Sequence, residues 1–511
     1  MTSQERQEGN TYGDKKEPRY SILTYTWGRW QTDKVPAIDI KGTTWKIPAV
    51  EEKHFTVGNF RRVIQQMGKR TEYAWIDIAC IDQENYPVKM DEVGKQVGIF
   101  KQASRVFVWL NGLESVDLEH CLHEIFWKSP TLCDEGLEQS ISQRLESLAS
   151  AMEKLFSDPW FSSLWTLQES VLRRDAIILN RDAETIPLHR TDAMLAILAS
   201  SCLNIYKDLS SIILRYNGDT SLTIRSTAEK LRSKIEGAGL HFIYSSNPNV
   251  QYGVAHFRQA MYELDRIYGI MQIYGLRLGE SKQPNVKPTL EQLEDELGKT
   301  LFLRSPVLSQ MFTHRTPPRQ GKSWRITQNS GVPGGVRVYR PPHILGFNTA
   351  PSQGSLPPSE IPHCQVSVHP SGEVNLKGKS WLFSDLVKYW RSCRGSVSVQ
   401  DIMLDENEQI RARVPHQLTK FNLPQDGQQH ELGDCLVNLF GENNLVWFLV
   451  GEKPEENRSG WFLGLILLHK DEGNYWERIG ICSWKAGETF PTDRQPEPPC
   501  PQWKPFDGIL G

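Results

Sequence analysis

Apolar runs and amphipathic segments alternate through the first 110 residues, and this order restricts the fold more than any other feature of the chain. The apolar runs cover 21–25, 73–78 and 105–110, and helical spacing of apolar side chains covers 57–67 and 91–103. Strands without polar faces are typical of a parallel sheet covered by helices on both sides. Strands that alternate with helices form βαβ units. The sequence therefore predicts an N-terminal parallel α/β sheet.

The pattern of the chain changes twice after this region. Helical patterns at 137–156 and from Asp158 to Leu172 lead to a short strand at 176–179 and then to a mainly helical stretch. Short alternating runs after about residue 363 indicate a β-rich fold instead. We predict a disordered leader at 1–18, an α/β domain at 19–180, a mainly helical region at 181–326, a Gly/Pro-rich linker or loop at 327–362, a β-rich domain at 363–490 and a Pro-rich tail at 491–511.

The composition argues against two classes of partner. The net charge is −3, and Lys and Arg do not cluster in the sequence, so neither a nucleic acid nor a membrane surface is expected as a partner. No apolar run approaches the roughly 20 residues that a membrane span needs, and no secretory signal is visible. The nine cysteines lack CxxC spacing, which is typical of reduced thiols. We therefore expect a cytoplasmic protein.

Common signatures of cofactor sites and catalytic sites are missing from the sequence. It contains no P-loop, GxGxxG, HExxH or GxSxG pattern. The group of His120, Cys121 and His123 with Cys133 lacks the spacing of a zinc site, and a helix with two exposed histidines explains it more simply. We predict neither a metal nor a bound cofactor.

Polar side chains stand where the second apolar run ends. Asp77, Asp82 and Gln83 lie there, and the binding groups of open α/β sheets come just past the carboxyl ends of their strands. The same residues can instead fix the turn through local hydrogen bonds. Cys80 has no histidine nearby in the sequence, so we expect a buried, inert thiol.

Aromatic residues and a glycine follow the first apolar run. Tyr25 and Trp27 can form the floor of a nucleotide pocket, or they can close the end of the sheet as packing residues. Gly28 allows a positive φ or a close approach of the backbone. These residues belong to the same candidate ligand site.

Glu169 is the candidate catalytic residue. It lies four residues after Trp165, so the two side chains share one face of a helix. A carboxyl group beside a large aromatic ring can stabilise developing positive charge or, with a pKa raised by burial, exchange protons. The alternative is a surface glutamate next to a core tryptophan.

Four segments together resemble the fungal heterokaryon-incompatibility (HET) domain. They are Thr24-Tyr-Thr-Trp-Gly28, Trp75-Ile-Asp-Ile-Ala-Cys-Ile-Asp-Gln83, a helix leading to the Val-Trp-Leu that ends at Leu110, and Trp165-Thr-Leu-Gln168-Glu169. A further segment, Asp265-Arg-Ile-Tyr-Gly269, is similar to an element that often follows the domain. The resemblance is strong over 19–180, moderate over 255–278, and general in the C-terminal half.

The resemblance implies a role in fungal non-self recognition that leads to growth arrest or cell death. The partner would be a second copy of the chain or another incompatibility protein. HET domains also look like distant relatives of TIR domains, which share a flavodoxin-like sheet, and some of which cleave NAD with a glutamate on a helix after a tryptophan. This second relationship implies Glu169 as the catalytic residue, Gln168 as part of the site, and a nucleotide, NAD, as a substrate.

The sequence departs from the family pattern at two positions, and three functions stay open. Thr24 stands where the family often has Ser, and Ser163 stands where an Arg commonly precedes the Trp165 element. If that Arg binds an anion in relatives, Ser163 cannot do so here. The alternatives are a signalling effector, an NAD glycohydrolase, and a scaffold recruited to a small-molecule reaction of secondary metabolism.

Overall fold

The chain divides into two compact units, which are residues 1–244 with 257–289 and residues 245–256 with 290–511. The sequence predicted separate regions at 19–180 and 181–326. The helices at 195–215 and 222–238 bury their apolar faces in the same core as the sheet, so they belong to the first unit. The computed structural model describes residues 6–7, 11–12, 14–128, 138–188, 191–216, 222–245, 247–337, 360–369, 373–392, 401–415, 428–455, 458–470, 474–485 and 503–510.

A four-stranded parallel sheet forms the centre of the first unit, as the sequence predicted. Its strands are β1 (Tyr20–Thr24), β2 (Tyr73–Trp75), β3 (Arg105–Trp109) and β4 (Ile177–Leu179). Their order across the sheet is β2-β1-β3-β4, and all three pairings are parallel. The strand predicted over 73–78 is shorter, because the chain turns into a four-residue helix at Asp77–Cys80.

Alternate side chains of the sheet enter two different cores. Ile22 and Val106 face one apolar cluster, and the next residues, Leu23 and Phe107, face the other. Helices from the 115–238 region cover the first face, and the helix at 57–68 contributes to the second. Burial of both faces explains why the strands read as continuous apolar runs.

The helices predicted at 57–67, 91–103 and 137–156 lie close to their predicted positions. One predicted to start at 91 begins at Tyr86, where Asn85 accepts a hydrogen bond from Val88 N as its cap. In chain order they are α1 (Val57–Gly68), α2 (Tyr86–Gln102), α3 (Ser115–His123), α4 (Glu138–Phe156), α5 (Leu164–Leu172), α6 (Leu195–Arg215), α7 (Leu222–Ala238), α8 (Pro248–Ala255), α9 (Asp265–Met271), α10 (Leu290–Arg304), α11 (Phe383–Ser392), α12 (Glu408–Arg413) and α13 (Gln428–Phe440).

Helix α6 is long and apolar enough, by length and composition, to cross a membrane. Its 21 residues have a mean hydropathy of 1.2 over the most apolar window. Seven of its side chains, from Leu195 to Ile212, are buried in the first unit's core. A core helix passes the same test, so this property is weak evidence for a span.

A single helix predicted from Asp158 to Leu172 is in fact broken in two. Asp158 caps a short 3-10 helix, Pro159–Phe161, by accepting a hydrogen bond from Trp160 N at 2.9 Å. Gln259 then pairs with the extended backbone: its N–H donates to Ser162 O at 2.7 Å, and its carbonyl accepts from Leu164 N at 3.0 Å. This pairing, which the local sequence does not encode, ends one helix and starts α5.

The second unit is built around a mainly antiparallel sheet, which confirms the predicted β-rich C-terminal domain. Strand β6 pairs with β8 as well as with β11, so the path through β8, β9, β10, β11 and β6 closes on itself. Helices α11 and α13 pack against one another beside the sheet. The strands are β5 (Gln365–Val368), β6 (Val374–Leu382), β7 (Asp401–Leu404), β8 (Leu445–Glu455), β9 (Arg458–Lys470), β10 (Tyr475–Lys485) and β11 (Lys504–Leu510).

Three predicted irregular segments are described only in part. Within the leader predicted as disordered, Arg6–Gln7, Thr11–Tyr12 and Lys15–Lys16 pair as short antiparallel strands. The end of the predicted tail forms β11, which pairs along β6 from Lys504 to Leu510. The remainder of that tail, and most of the linker predicted at 327–362, lie outside the described residues.

Candidate functional site

The candidate site lies at the carboxyl edge of the parallel sheet. Chain segments leave β1, β2 and β3 at this edge. β2 lies on one side of β1 and β3 on the other, so the connection after β1 and the connection after β2 lead in opposite directions across the sheet. Open α/β sheets bind ligands at such a point, where the connections diverge. Three segments and the helix α5 supply the side chains of the site.

Glu169 on α5 places its carboxyl group at this edge. The residue as a whole is partly accessible, but Oε2 is closed off from solvent and has no hydrogen-bond partner. Burial raises the pKa of Glu169 well above its ordinary value, and Asp77 raises it further, while the Thr24 hydroxyl favours the ionised form. Thr24 Oγ1 accepts the Trp160 indole N–H at 2.9 Å, which leaves its own hydrogen free to be donated.

Asp77 lies near enough to Glu169 for its charge to raise the pKa of Glu169, and the two groups are called the carboxyl pair here. Its Oδ2 accepts the Trp27 indole N–H at 2.7 Å, and its Oδ1 accepts from Ile78 N at 2.7 Å. Burial raises the pKa of Asp77, and these two donors oppose the shift. The Tyr25 hydroxyl beside it is buried, and burial, the Asp77 charge and a hydrogen bond to Asp77 raise the pKa of Tyr25 well above its usual range. That hydrogen bond also opposes the shift of Asp77. The charge of Asp77 therefore opposes ionisation of Glu169.

Trp165 and Gln168, predicted as ligand-binding residues, point to other partners. The Trp165 indole lies against Asp265, whose pKa burial raises and the indole lowers. Gln168 is fully buried; its Oε1 accepts Gln272 N at 3.2 Å, and its Nε2 lies 3.5 Å from Gln96 Oε1. Gln168 therefore joins α5 to α2 and to the segment after α9, which is a packing role.

The residues after β2 also separate into two groups. Gln83 stays near the site, because its Nε2 donates to Asp77 O at 3.0 Å and its buried Oε1 has no partner. Asp82 instead caps a turn, since its Oδ1 accepts from Glu84 N and Asn85 N at 3.1 Å each. The structural alternative for Asp82 is thus the one observed.

Gly28 and Cys80 have no special geometry that would serve a ligand. A side chain at Gly28 would meet nothing within 4 Å, and its φ does not lie in the left-handed region, so neither reason for a glycine applies. Burial raises the pKa of the Cys80 thiol to about 11, and its sulfur accepts from Ile76 N at 3.4 Å. Cys80 is therefore the unreactive thiol that the sequence predicted.

Several residues of the site could not be singled out from their local sequence. The charge of Lys89 on α2 lowers the pKa values of both Asp77 and Asp265. Asp265 opens the Asp-Arg-Ile-Tyr-Gly segment, and that motif was the one available signal for it. No group of three or more potential metal ligands occurs within the described ranges, where α3 carries an exposed His123 and a buried Cys121.

His54 forms the other side of the site, next to the end of β3. Its ring stacks on Trp30 with centroids 3.8 Å apart and planes 6° apart. Its Nε2 lies 2.6 Å from Thr26 O and 3.0 Å from the Asn111 amide. Burial lowers the pKa of His54 to about 4, with a further lowering by Arg29, so the ring is neutral at physiological pH.

The depressed pKa of His54 predicts a loss of stability in mild acid. The unfolded chain takes up a proton near pH 6.5, whereas the folded chain does so only near pH 4, so stability falls as the pH drops between these values. The loss attributable to His54 is at most about 3.5 kcal/mol, at about 1.4 kcal/mol per pKa unit. Urea unfolding of wild type and His54→Gln at pH 7 and pH 5 measures it. An equal acid response in both proteins would contradict the assignment.

One comparison with known proteins identifies a family. The family model described as Heterokaryon incompatibility protein (HET) matches residues 20–169, which is less than a third of the 511 residues. Comparisons with curated proteins and with solved structures find no match. The matched range begins with β1 and ends at Glu169, so it contains β1 to β3 and the carboxyl pair of the site. The chain therefore carries a HET domain at residues 20–169.

Proposed function

We propose that this protein is an effector of fungal non-self recognition, acting in the cytoplasm to trigger growth arrest or cell death. The HET family match over 20–169 carries the proposal. The first unit would act by self-association or by binding another incompatibility protein. The second unit, with its own sheet and core, would sense the trigger or restrain the first.

Expression of the intact chain tests the effector function. A fungal host that makes the protein is expected to stop growing, and light scattering of the purified chain is expected to give a mass above the 58.5 kDa of one copy. The exposed variant Arg62→Met, which removes a surface ion pair with Asp182, is the matched control for both measurements. A strictly monomeric chain that is also harmless on expression would exclude the proposal.

A second candidate function is hydrolysis of NAD at the Glu169 site. The observation that favours it is the buried Glu169 Oε2 without a partner, next to a second carboxyl group. The strand order β2-β1-β3-β4 also supports a flavodoxin-like or TIR-like sheet, since flavodoxin-like sheets use this order for their first four strands. Fold alone does not establish an activity, so the argument rests on the carboxyl pair.

The chemistry of NAD cleavage suits a carboxylate in a dry site. The bond between ribose C1′ and the ring nitrogen breaks, its electron pair neutralises the cationic nicotinamide, and water adds to C1′ with loss of a proton. Glu169, once ionised, would stabilise the ribosyl cation that develops. A cationic nicotinamide next to the Glu169 and Asp77 pair lowers their pKa values, so substrate binding itself favours ionisation. Release of nicotinamide from NAD by the intact chain tests this function.

The geometry changes the roles of the supporting residues. Trp27 is held by its hydrogen bond to Asp77 and can still offer its ring to a ligand, whereas Trp165 faces Asp265. A ribose contact comes from Asp77 in this scheme, because Asp82 is occupied in its turn. If the chain binds a nucleotide but leaves NAD intact, the third alternative, a different small-molecule reaction on this scaffold, takes its place.

A further inference from the structure

Arg29 carries a buried cationic donor that has no acceptor. The residue follows β1 and is half-buried, with its guanidinium carbon 5.0 Å from the centre of the Trp30 ring. Its Nη1 donates to Gln259 Oε1, which fixes the orientation of the group. Its Nη2 is closed off from solvent without a hydrogen-bond partner, and no carboxylate of the described residues lies within ion-pair distance of Arg29. Because a buried charge is costly unless it is paired, an anion is the expected acceptor.

Asn111, after β3, has a buried side-chain amide that can supply a second donor. His54 Nε2 lies only 2.6 Å from Thr26 O, so that nitrogen must carry the hydrogen and donate. The Asn111 amide lies 3.0 Å from the same nitrogen and can bond to it only through Oδ1. The NH2 group of Asn111 then takes the buried position at which Oδ1 has no donor. His54 therefore fixes which end of Asn111 is offered to a ligand.

The two donors come from neighbouring strands at the point where the connections of the sheet diverge. β1 and β3 pair directly, and Arg29 and Asn111 follow their carboxyl ends. Arg29 lies close enough to His54 for its charge to act on the ring, and Asn111 contacts that ring directly. Anions and nucleotides bind open α/β sheets at this position. The His54 ring beside both groups is neutral, so it does not compete with an anion for the donors.

We propose that Arg29 and Asn111 form an anion-binding site for the phosphate groups of a nucleotide. The identity of the ligand rests on the proposed glycohydrolase function, whereas the unpartnered Arg29 donor and the buried Asn111 amide do not depend on it. Arg29 is two residues from Trp27, which holds Asp77, so their Cα atoms are at most about 7 Å apart. Phosphates at Arg29 and a cationic ring at the carboxyl pair would thus belong to one dinucleotide, in which a ribose joins the two groups. Arg29 then supplies the cation that Ser163 lacks.

Calorimetric titration of the intact chain with inorganic pyrophosphate, with phosphate and with ADP tests the site. Wild type is expected to bind pyrophosphate and ADP, more weakly as salt rises. Arg29→Met and the isosteric Asn111→Asp, which places a negative charge at the site, are each expected to weaken binding at least tenfold. Arg62→Met, an exposed arginine paired with Asp182, is the matched control and should bind like wild type. Thermal melting confirms that each variant folds.

The outcomes separate this site from the glycohydrolase proposal. If wild type binds pyrophosphate, Arg29→Met does not, and no nicotinamide is released from NAD, the anion site is supported and the glycohydrolase proposal is excluded. If wild type, Arg29→Met and Asn111→Asp all release nicotinamide with the same KM for NAD, the anion site is excluded and the glycohydrolase proposal is supported. Wild-type protein that binds neither pyrophosphate nor ADP at millimolar concentration also overturns the anion site, as does equal binding by all four proteins.

Discussion

Glu169→Gln is expected to lower the rate of nicotinamide release from NAD by about 100-fold or more, the usual effect of removing a group that stabilises transition-state charge. Glutamine keeps the shape of the side chain and removes its charge, so the loss should appear in kcat rather than in KM. Because burial raises the pKa of Glu169, the wild-type rate should increase with pH over a range above the ordinary value of a carboxyl group. The measurement is initial rate against pH for both proteins.

Asp82→Asn is the matched control for this experiment. It makes the same change from carboxylate to amide, on a residue that caps a turn through Glu84 N and Asn85 N. Its rate should stay within about twofold of wild type, since it removes no group from the carboxyl pair. Equal turnover by Glu169→Gln and wild type would remove Glu169 from the mechanism. If neither wild type nor Glu169→Gln releases nicotinamide, the proposal that the protein hydrolyses NAD is excluded.

Arg478→Met should destabilise the second unit by about 3–5 kcal/mol, the cost of leaving one partner of a buried ion pair alone. Arg478 and Asp405 are 0% and 2% exposed, and Arg478 Nε lies 3.2 Å from Asp405 Oδ2. The guanidinium also donates to Gln310 Oε1 at 3.1 Å and to the carbonyl of Phe312. One side chain on β10 therefore neutralises Asp405 and holds the 310–312 segment. Urea unfolding followed by circular dichroism measures the change.

An exposed cation of the same unit provides the comparison. Lys388 lies 3.8 Å from Glu442, and both side chains are more than half exposed. Lys388→Met should change the free energy of unfolding by no more than about 0.5 kcal/mol. Replacing Arg478 and Asp405 together by apolar residues should recover part of the loss, since no charge is then left buried. A cost for Arg478→Met as small as that for Lys388→Met would show that Asp405 is satisfied without it.

The elements that the sequence predicts well are those whose signals are local. The apolar runs that became β1 and β3 begin and end within a residue of the strands, because both faces of the sheet are buried and most strand positions are apolar. Helix α1 starts as expected after Thr56, whose hydroxyl accepts from Asn59 N at 3.1 Å. Short-range chemistry decided each of these boundaries.

Features that depend on distant parts of the chain could not be predicted. The break between Phe161 and Leu164 exists because Gln259, almost a hundred residues later, pairs with that backbone. Arg29 could not be predicted for the same reason. It stands out only because its buried Nη2 has no acceptor, and that depends on the packing of the folded chain. The motif made Glu169 a candidate, but its position near the Asp77 charge could be seen only in the folded sheet. Spacing identified candidate groups, and packing decided which of them meet.

The backbone of Gln259 pairs with residues 162–164, which lie inside the region that matches the HET family. The unit that folds is therefore larger than the HET domain defined by similarity. Arg258 is 1% exposed and donates to the carbonyls of Trp160 and Ser163 at 3.0 and 3.1 Å, immediately before the helix that carries Glu169. A fragment cut just after the match at 169, or even at 180, would lose Arg258, Gln259 and Asp265 at once. Removal of the segment that contains Arg258, Gln259 and Asp265, by a protease or by truncation of the gene, would therefore disrupt the site without changing any residue inside the recognised domain.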